Sequence, residues 1–155
     1  MSIYQPSAPQ ANARGFSTAN LGGVSTSPNR AFAFAFGAVY ALVGLAGFLV
    51  TKGVPFSGQM GKNLIVFPVN PLHNLVHIAV GALFIVGALA GEKIASGVNA
   101  LIGGVYLAVG VAGLFVIGTK FNIIALNQAD NALHFATAIL ALGIGAYGLR
   151  HKQLA

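Results

Sequence analysis

The chain has 155 residues, of which 56% are hydrophobic and only 6% charged, and its mean hydropathy is +0.80. Ordinary soluble domains are about 25% charged, so these residues cannot coat a water-facing surface of this size, whereas a bilayer asks for apolar ones. The net charge of +6 sets eight Lys and Arg against Glu92 and Asp130; the basic residues stand singly at segment ends, which argues against nucleic acid as a partner, and the lack of cysteine excludes disulfides and thiolate metal sites.

Residues 1–29 are rich in Ser, Ala, Asn, Gln and Gly and read as a polar, flexible tail. Four apolar segments follow: Ala31–Val50, Pro71–Ala90, Ile94–Ile117 and Ala129–Leu149. A helix needs about 20 residues to cross roughly 30 Å of hydrocarbon, and each segment is long enough. Unpaired backbone groups are not tolerated in lipid, so continuous apolar runs are expected as helices. Asn70-Pro71 reads as an N-cap with proline at the first helical position. Asn127 with Asp130 three residues on reads as a capping box. Gly91-Glu92-Lys93 is expected as a short turn, and Lys52 to Val69 as a long loop whose shorter counterpart is Thr119 to Leu126. The fold class expected over residues 30–152 is therefore all-α: a bundle of four transmembrane helices.

The chain also repeats itself. The segment Gly37 to Gly47 returns as Gly103 to Gly113 at an offset of 66, and Asn70 to His77 returns as Asn127 to His134 at an offset of 57. The repeats are bounded at 30–91 and 97–150, and each holds two helices, so both copies are expected to run the same way through the membrane. Lys and Arg are the orienting charges. Arg14, Arg30, Lys93, Arg150 and Lys152 lie on one side against Lys52, Lys62 and Lys120 on the other, which places both termini in the cytoplasm.

The repeat singles out the unusual residues. Asn70, Asn74 and His77 share one helix face at i, i+4 and i+7, and Asn127, Asn131 and His134 repeat the pattern. His73 and Asp130 break the symmetry, each four residues before the later histidine. Polar side chains in spans are costly and face a bundle interior or a cavity. Four readings are open. The Asn residues cap helices and the histidines bond across the bundle. Or His73, His77, Asp130 and His134 converge on a divalent metal, provided the second and fourth spans adjoin. Or His77 and His134, flanked by Asn74 and Asn131, hold a tetrapyrrole, haem or chlorophyll. Or the stripe is a proton or ion path. Phosphate-cradling loops and nucleophile elbows are missing, so nothing points to an enzyme.

The Asn-Pro-Leu-His-Asn-Leu-Val-His stretch, the Ala-Asp-Asn-Ala-Leu-His stretch and the paired Gly-Val-Tyr segments resemble a bacterial family of small four-helix membrane proteins catalogued only as a domain of unknown function. The resemblance covers about residues 30–150 and implies fold and membrane location, with no activity attached. The expected role is a non-enzymatic accessory or assembly component of a larger membrane complex, or a self-associating protein, within the lipid bilayer. The alternative is a metal- or tetrapyrrole-binding membrane protein.

Overall fold

The computed structural model describes residues 19–151. Most of the expected tail, residues 1–18, lies outside the described residues. The rest of it is not a bare tail. Residues Ala19–Thr26 form a short helix, α1, and the next helix, α2, begins at Pro28 and runs to Val50. Ser27 caps α2 by accepting from the Arg30 amide at 3.2 Å, and Pro28 costs nothing at a position whose N–H is unpaired anyway. Then follow α3 (Pro71–Ala90), α4 (Glu92–Val116) and α5 (Gln128–His151). The four helices α2 to α5 are each long and apolar enough to cross a membrane. The molecule is an all-α bundle of an integral membrane protein.

Two local features differ from expectation. Only Gly91 separates α3 from α4, at φ 118, and Glu92 and Lys93 are already helical. That φ is open to glycine and strained for other residues, so one residue suffices for the reversal. The long loop contains a small antiparallel hairpin, β1 (Lys62–Leu64) with β2 (Phe67–Val69), paired from Lys62↔Val69 to Leu64↔Phe67. Its two-residue turn holds Ile65 at φ 64. A β-branched residue is a genuine outlier there, because hairpin turns of this length normally place Gly, Asn or Asp at positive φ.

The helices pack as two antiparallel pairs, α2 with α3 and α4 with α5. Lipid supplies no hydrophobic drive between helices, so close backbone approach must hold them. Glycines provide it, and the contacts correspond under the two sequence offsets. A Cβ on Gly37 would meet the Gly81 carbonyl and the Ile85 amide, and one on Gly103 would meet the Ala138 carbonyl and the Leu142 amide. Gly44 faces Asn74 and Ile78, and Gly110 faces Phe135. Gly47 faces the Asn74 amide group, and Gly113 the Asn131 amide group. Between the pairs the packing is unequal: α3 meets α4 and α2 meets α4, while α2 and α5 touch lightly and α3 and α5 at most marginally.

Phe84 is fully buried at the centre, with ring contacts to Phe32, Phe36 and Tyr40. Buried alanines at 33, 88, 95, 138 and 141 keep the helices close around it. Large apolar side chains such as Leu42, Leu49, Leu101 and Ile139 point outward, as lipid requires.

A polar network ties the bundle at the end that carries the Gly91 turn. Glu92 accepts from Ser27, from Asn29 at 2.9 Å and from Ser96 at 3.3 Å. Asn99 donates to the Asn29 carbonyl and to its side-chain oxygen at 3.1 and 3.0 Å. Arg30 donates to the Ala88 carbonyl at 2.6 Å. The network joins α2, α4 and the end of α3. Asn29 and Asn99 stand 63 to 70 residues from their partners, a separation that leaves no local signal in the sequence.

Candidate ligand cavity

The paired polar motifs lie at the opposite end, where α3 and α5 begin. Asn70 caps α3: its Oδ1 accepts from the His73 amide at 2.9 Å. Its Nδ2 donates to the carbonyls of Gly58 and Ile123, both at 3.0 Å, so it also pins the two loops together. An isolated bridge, Gly58 to Ile124, reinforces that seam. At α5, Asn127 Oδ1 accepts from the Asp130 amide at 2.8 Å while Asp130 Oδ2 accepts from the Asn127 amide at 3.1 Å. This is the reciprocal capping box expected from sequence. Asn127 also donates to the Val66 carbonyl at 2.9 Å, which anchors the hairpin turn.

Asn74 and Asn131 do not cap. Each buries its amide against a glycine, and Asn74 reaches Thr51 Oγ1 at 3.2 Å. The Oδ1 atoms of both are buried without a hydrogen-bond partner. An ideal Cβ on Gly47 or Gly113 would stand 2.0 or 2.1 Å from that oxygen. The oxygen therefore lies nearly along the glycine Cα–H bond, the geometry of a weak Cα–H···O contact.

The histidines meet a central tyrosine pair. Tyr40 and Tyr106 pack edge-on at 5.4 Å between ring centroids. His77 packs edge-on to Tyr40 at 5.4 Å, and His134 to Tyr106 at 5.2 Å. The offsets of 66 and 57 relate these two contacts as well. His73 stacks edge-on to His77 at 4.5 Å. The Nδ1 atoms of His73, His77 and His134 are all buried without a partner. Tyr40 Oη lies 2.8 Å from Thr137 Oγ1, a bond that spans the lightly packed α2–α5 seam.

That seam opens into a cavity of about 340 Å³. Its polar wall is His77 from α3 with Asp130, His134 and Thr137 from α5. Its aromatic wall is Phe36, Tyr40 and Phe67. Val39, Leu133 and Ile65 are substantially exposed at its rim, and the hairpin residues Leu64 and Ile65 cover one end. Val39 of α2 and Leu133 of α5 line the cavity from membrane-length helices, and the hairpin residues Leu64, Ile65, Phe67 and Val69 line it from the loop side.

The structure thus brings together three of the four residues expected at a metal, His77, Asp130 and His134, and leaves His73 outside the cavity. Among the described residues no three His, Asp or Glu groups are placed to hold a metal ion. The physical reason is the helix arrangement: α3 and α5 are not close neighbours, so their polar faces look into a gap. Thr137 and Tyr40 belong to the site and escaped the sequence reading. Tyr40 had stood out only as a repeated residue, and Thr137 has no counterpart in the first repeat, where the offset places Val80.

Asp130 has two separable roles, and substitutions distinguish them. Asp130→Asn keeps an acceptor for the Asn127 amide and should change stability by only a few tenths of a kcal/mol, whereas Asp130→Ala loses that half of the capping box, the bond from the residue-130 amide to Asn127 Oδ1 remaining, and should cost about 0.5–1 kcal/mol. Thermal unfolding in mild detergent measures both; equal losses would show that the carboxylate matters for its charge.

A family model described as Domain of unknown function (DUF4383) matches residues 30–147. No curated protein and no solved structure matches the chain.

Proposed function

We propose that the chain, which belongs to the DUF4383 family, is a membrane binding protein that takes a small, mostly apolar molecule from the bilayer into the α2–α5 cavity. The observation that carries this reading is the cavity itself: apolar walls, a few polar groups and lining residues on membrane-length helices. Ligand pockets have this composition and typically measure about 300–1,000 Å³. At about 340 Å³ the cavity suits a compact head group better than a whole tetrapyrrole macrocycle. His77, His134 and Thr137 on its wall give a ligand's polar atoms groups to bond to. The excess of Lys and Arg flanking the termini supports a cytoplasmic placement of both, with the cavity toward the outer face. Reporter fusions at both termini should report the cytoplasm; both reporting the outer side would invert this placement.

The test is displacement of an environment-sensitive apolar dye from purified protein. Wild type should bind the dye saturably, and Val39→Trp should abolish binding by filling the mouth from an exposed position without touching the core. Dye binding that is equal in both would remove the cavity from the account. An absorbance spectrum and metal analysis of the same preparation test the cofactor alternative: a Soret or chlorin band lost in His134→Leu would replace this proposal.

A second reading, an accessory component of a larger membrane complex, is favoured by one observation. Phe56, Met60, Phe121 and Ile123 are exposed in the loops outside the spans. Apolar residues gathered there suit a protein partner. Native electrophoresis of solubilised membranes would show a complex far larger than the 15.7 kDa chain, which Phe56→Ser with Phe121→Ser should dissolve; migration as the chain alone would reject this reading.

A further inference from the structure

The geometry points to a lipid-soluble quinone or quinol as the ligand class of the α2–α5 cavity: a neutral planar ring with two hydrogen-bonding oxygens and an apolar tail. This rests on the binding reading above and narrows it.

Three properties of the cavity select the class. The first is the mouth. Val39 of α2 and Leu133 of α5, both on membrane-length helices, line the cavity and are exposed on the outside of the bundle, which offers a ligand a route through hydrocarbon. A charged head group pays several kcal/mol on that route, which excludes fatty-acid carboxylates and amines in favour of neutral heads. Asp130 on the wall adds like-charge repulsion against an anion.

The second is the wall. Five rings surround the space: Phe36, Tyr40, Phe67, His77 and His134. Aromatic faces and edges are most complementary to another planar ring, by offset stacking and edge-to-face contact. An acyl chain or a branched alcohol would leave that complementarity unused.

The third is the placement of polar groups. His77 comes from α3, and His134 and Thr137 come from α5, two helices that barely meet. Each neutral imidazole carries one donor and one acceptor nitrogen. The imidazoles of His77 and His134 line the cavity, and His134 is itself only 6% exposed. A ring with oxygens at opposite ends engages both walls at once. Imidazole and hydroxyl can donate to quinone carbonyls or accept from quinol hydroxyls, so both redox forms fit. The tail leaves through the mouth into lipid, which is why a cavity of about 340 Å³ is enough.

Binding is tested with the full chain in nanodiscs of synthetic lipid, titrated calorimetrically with a benzoquinone carrying one isoprene unit. Heats into empty nanodiscs are subtracted. Wild type should bind one equivalent. His134→Leu should weaken binding about tenfold, the loss expected for one buried hydrogen bond, and His134→Gln, which restores a donor and an acceptor, should recover part of it. The hydrocarbon analogue of the same ring and tail, and a fatty acid of similar length, should bind more weakly than the quinone. If either binds as tightly, or if His134→Leu leaves quinone affinity unchanged, the quinone assignment fails while the cavity reading stands on its dye result. If neither the quinone nor the dye binds, both fall together.

Discussion

Gly44→Leu should destabilise the bundle by about 1–3 kcal/mol, the usual cost of overpacking a tight contact. A Cβ at Gly44 would stand 2.6 Å from the Asn74 carbonyl oxygen and 3.0 Å from the Ile78 amide nitrogen. Both are backbone atoms of α3, so nothing local can rotate away. The two helices must separate, and in lipid their close approach is what holds them. Gly110→Leu, its counterpart in the second pair, should cost less. Its nearest neighbours are atoms of the Phe135 ring at 3.0 to 3.1 Å, and a side chain yields more readily than a carbonyl. Gly104→Leu is the control, since a Cβ there meets nothing within 4 Å, and it should stay within about 0.5 kcal/mol of wild type. Thermal unfolding of the three variants in one detergent measures the order. A loss at Gly104 equal to that at Gly44 would show that leucine acts through something other than helix contact.

Gly47→Ala and Gly113→Ala should be as damaging although they add only a methyl group. Each new carbon would fall about 2 Å from a buried asparagine oxygen, well inside contact distance. The amides of Asn74 and Asn131 must then leave their seats in the helix interface, and there is no water in a span to receive them. A loss of about 1–3 kcal/mol is expected at each site. The pairing is checked by a double-mutant cycle. Gly47→Ala should be nearly neutral in an Asn74→Ala background, because the group it displaces is gone. Simple additivity would break the link between the two residues.

What was legible in the sequence was local or repeated. Asn70-Pro71 marked the start of α3 because capping is a contact between near neighbours, and Asn127 with Asp130 gave the capping box for the same reason. The offsets of 66 and 57 matched glycines and asparagines whose contacts correspond in the two helix pairs. What stayed hidden depended on which helices meet. The expected metal set assumed that the second and fourth spans adjoin. In the fold each polar face looks instead into the α2–α5 seam, which gathers His77 and His134 and leaves His73 outside. The Glu92 network was hidden because Ser27, Asn29, Ser96 and Asn99 carry no pattern until helix ends are brought together. The hairpin was hidden too, because Ile65 at positive φ breaks the rule by which turns are read.

The α2–α5 cavity carries the proposed function, and the most direct measurement is native mass spectrometry of the protein released from its own membranes in mild detergent. Wild type should carry a single small apolar adduct that collision removes, and Val39→Trp prepared in the same way should carry none. A bare wild-type chain, or an adduct of the same mass and abundance on both proteins, would contradict the cavity as a binding site.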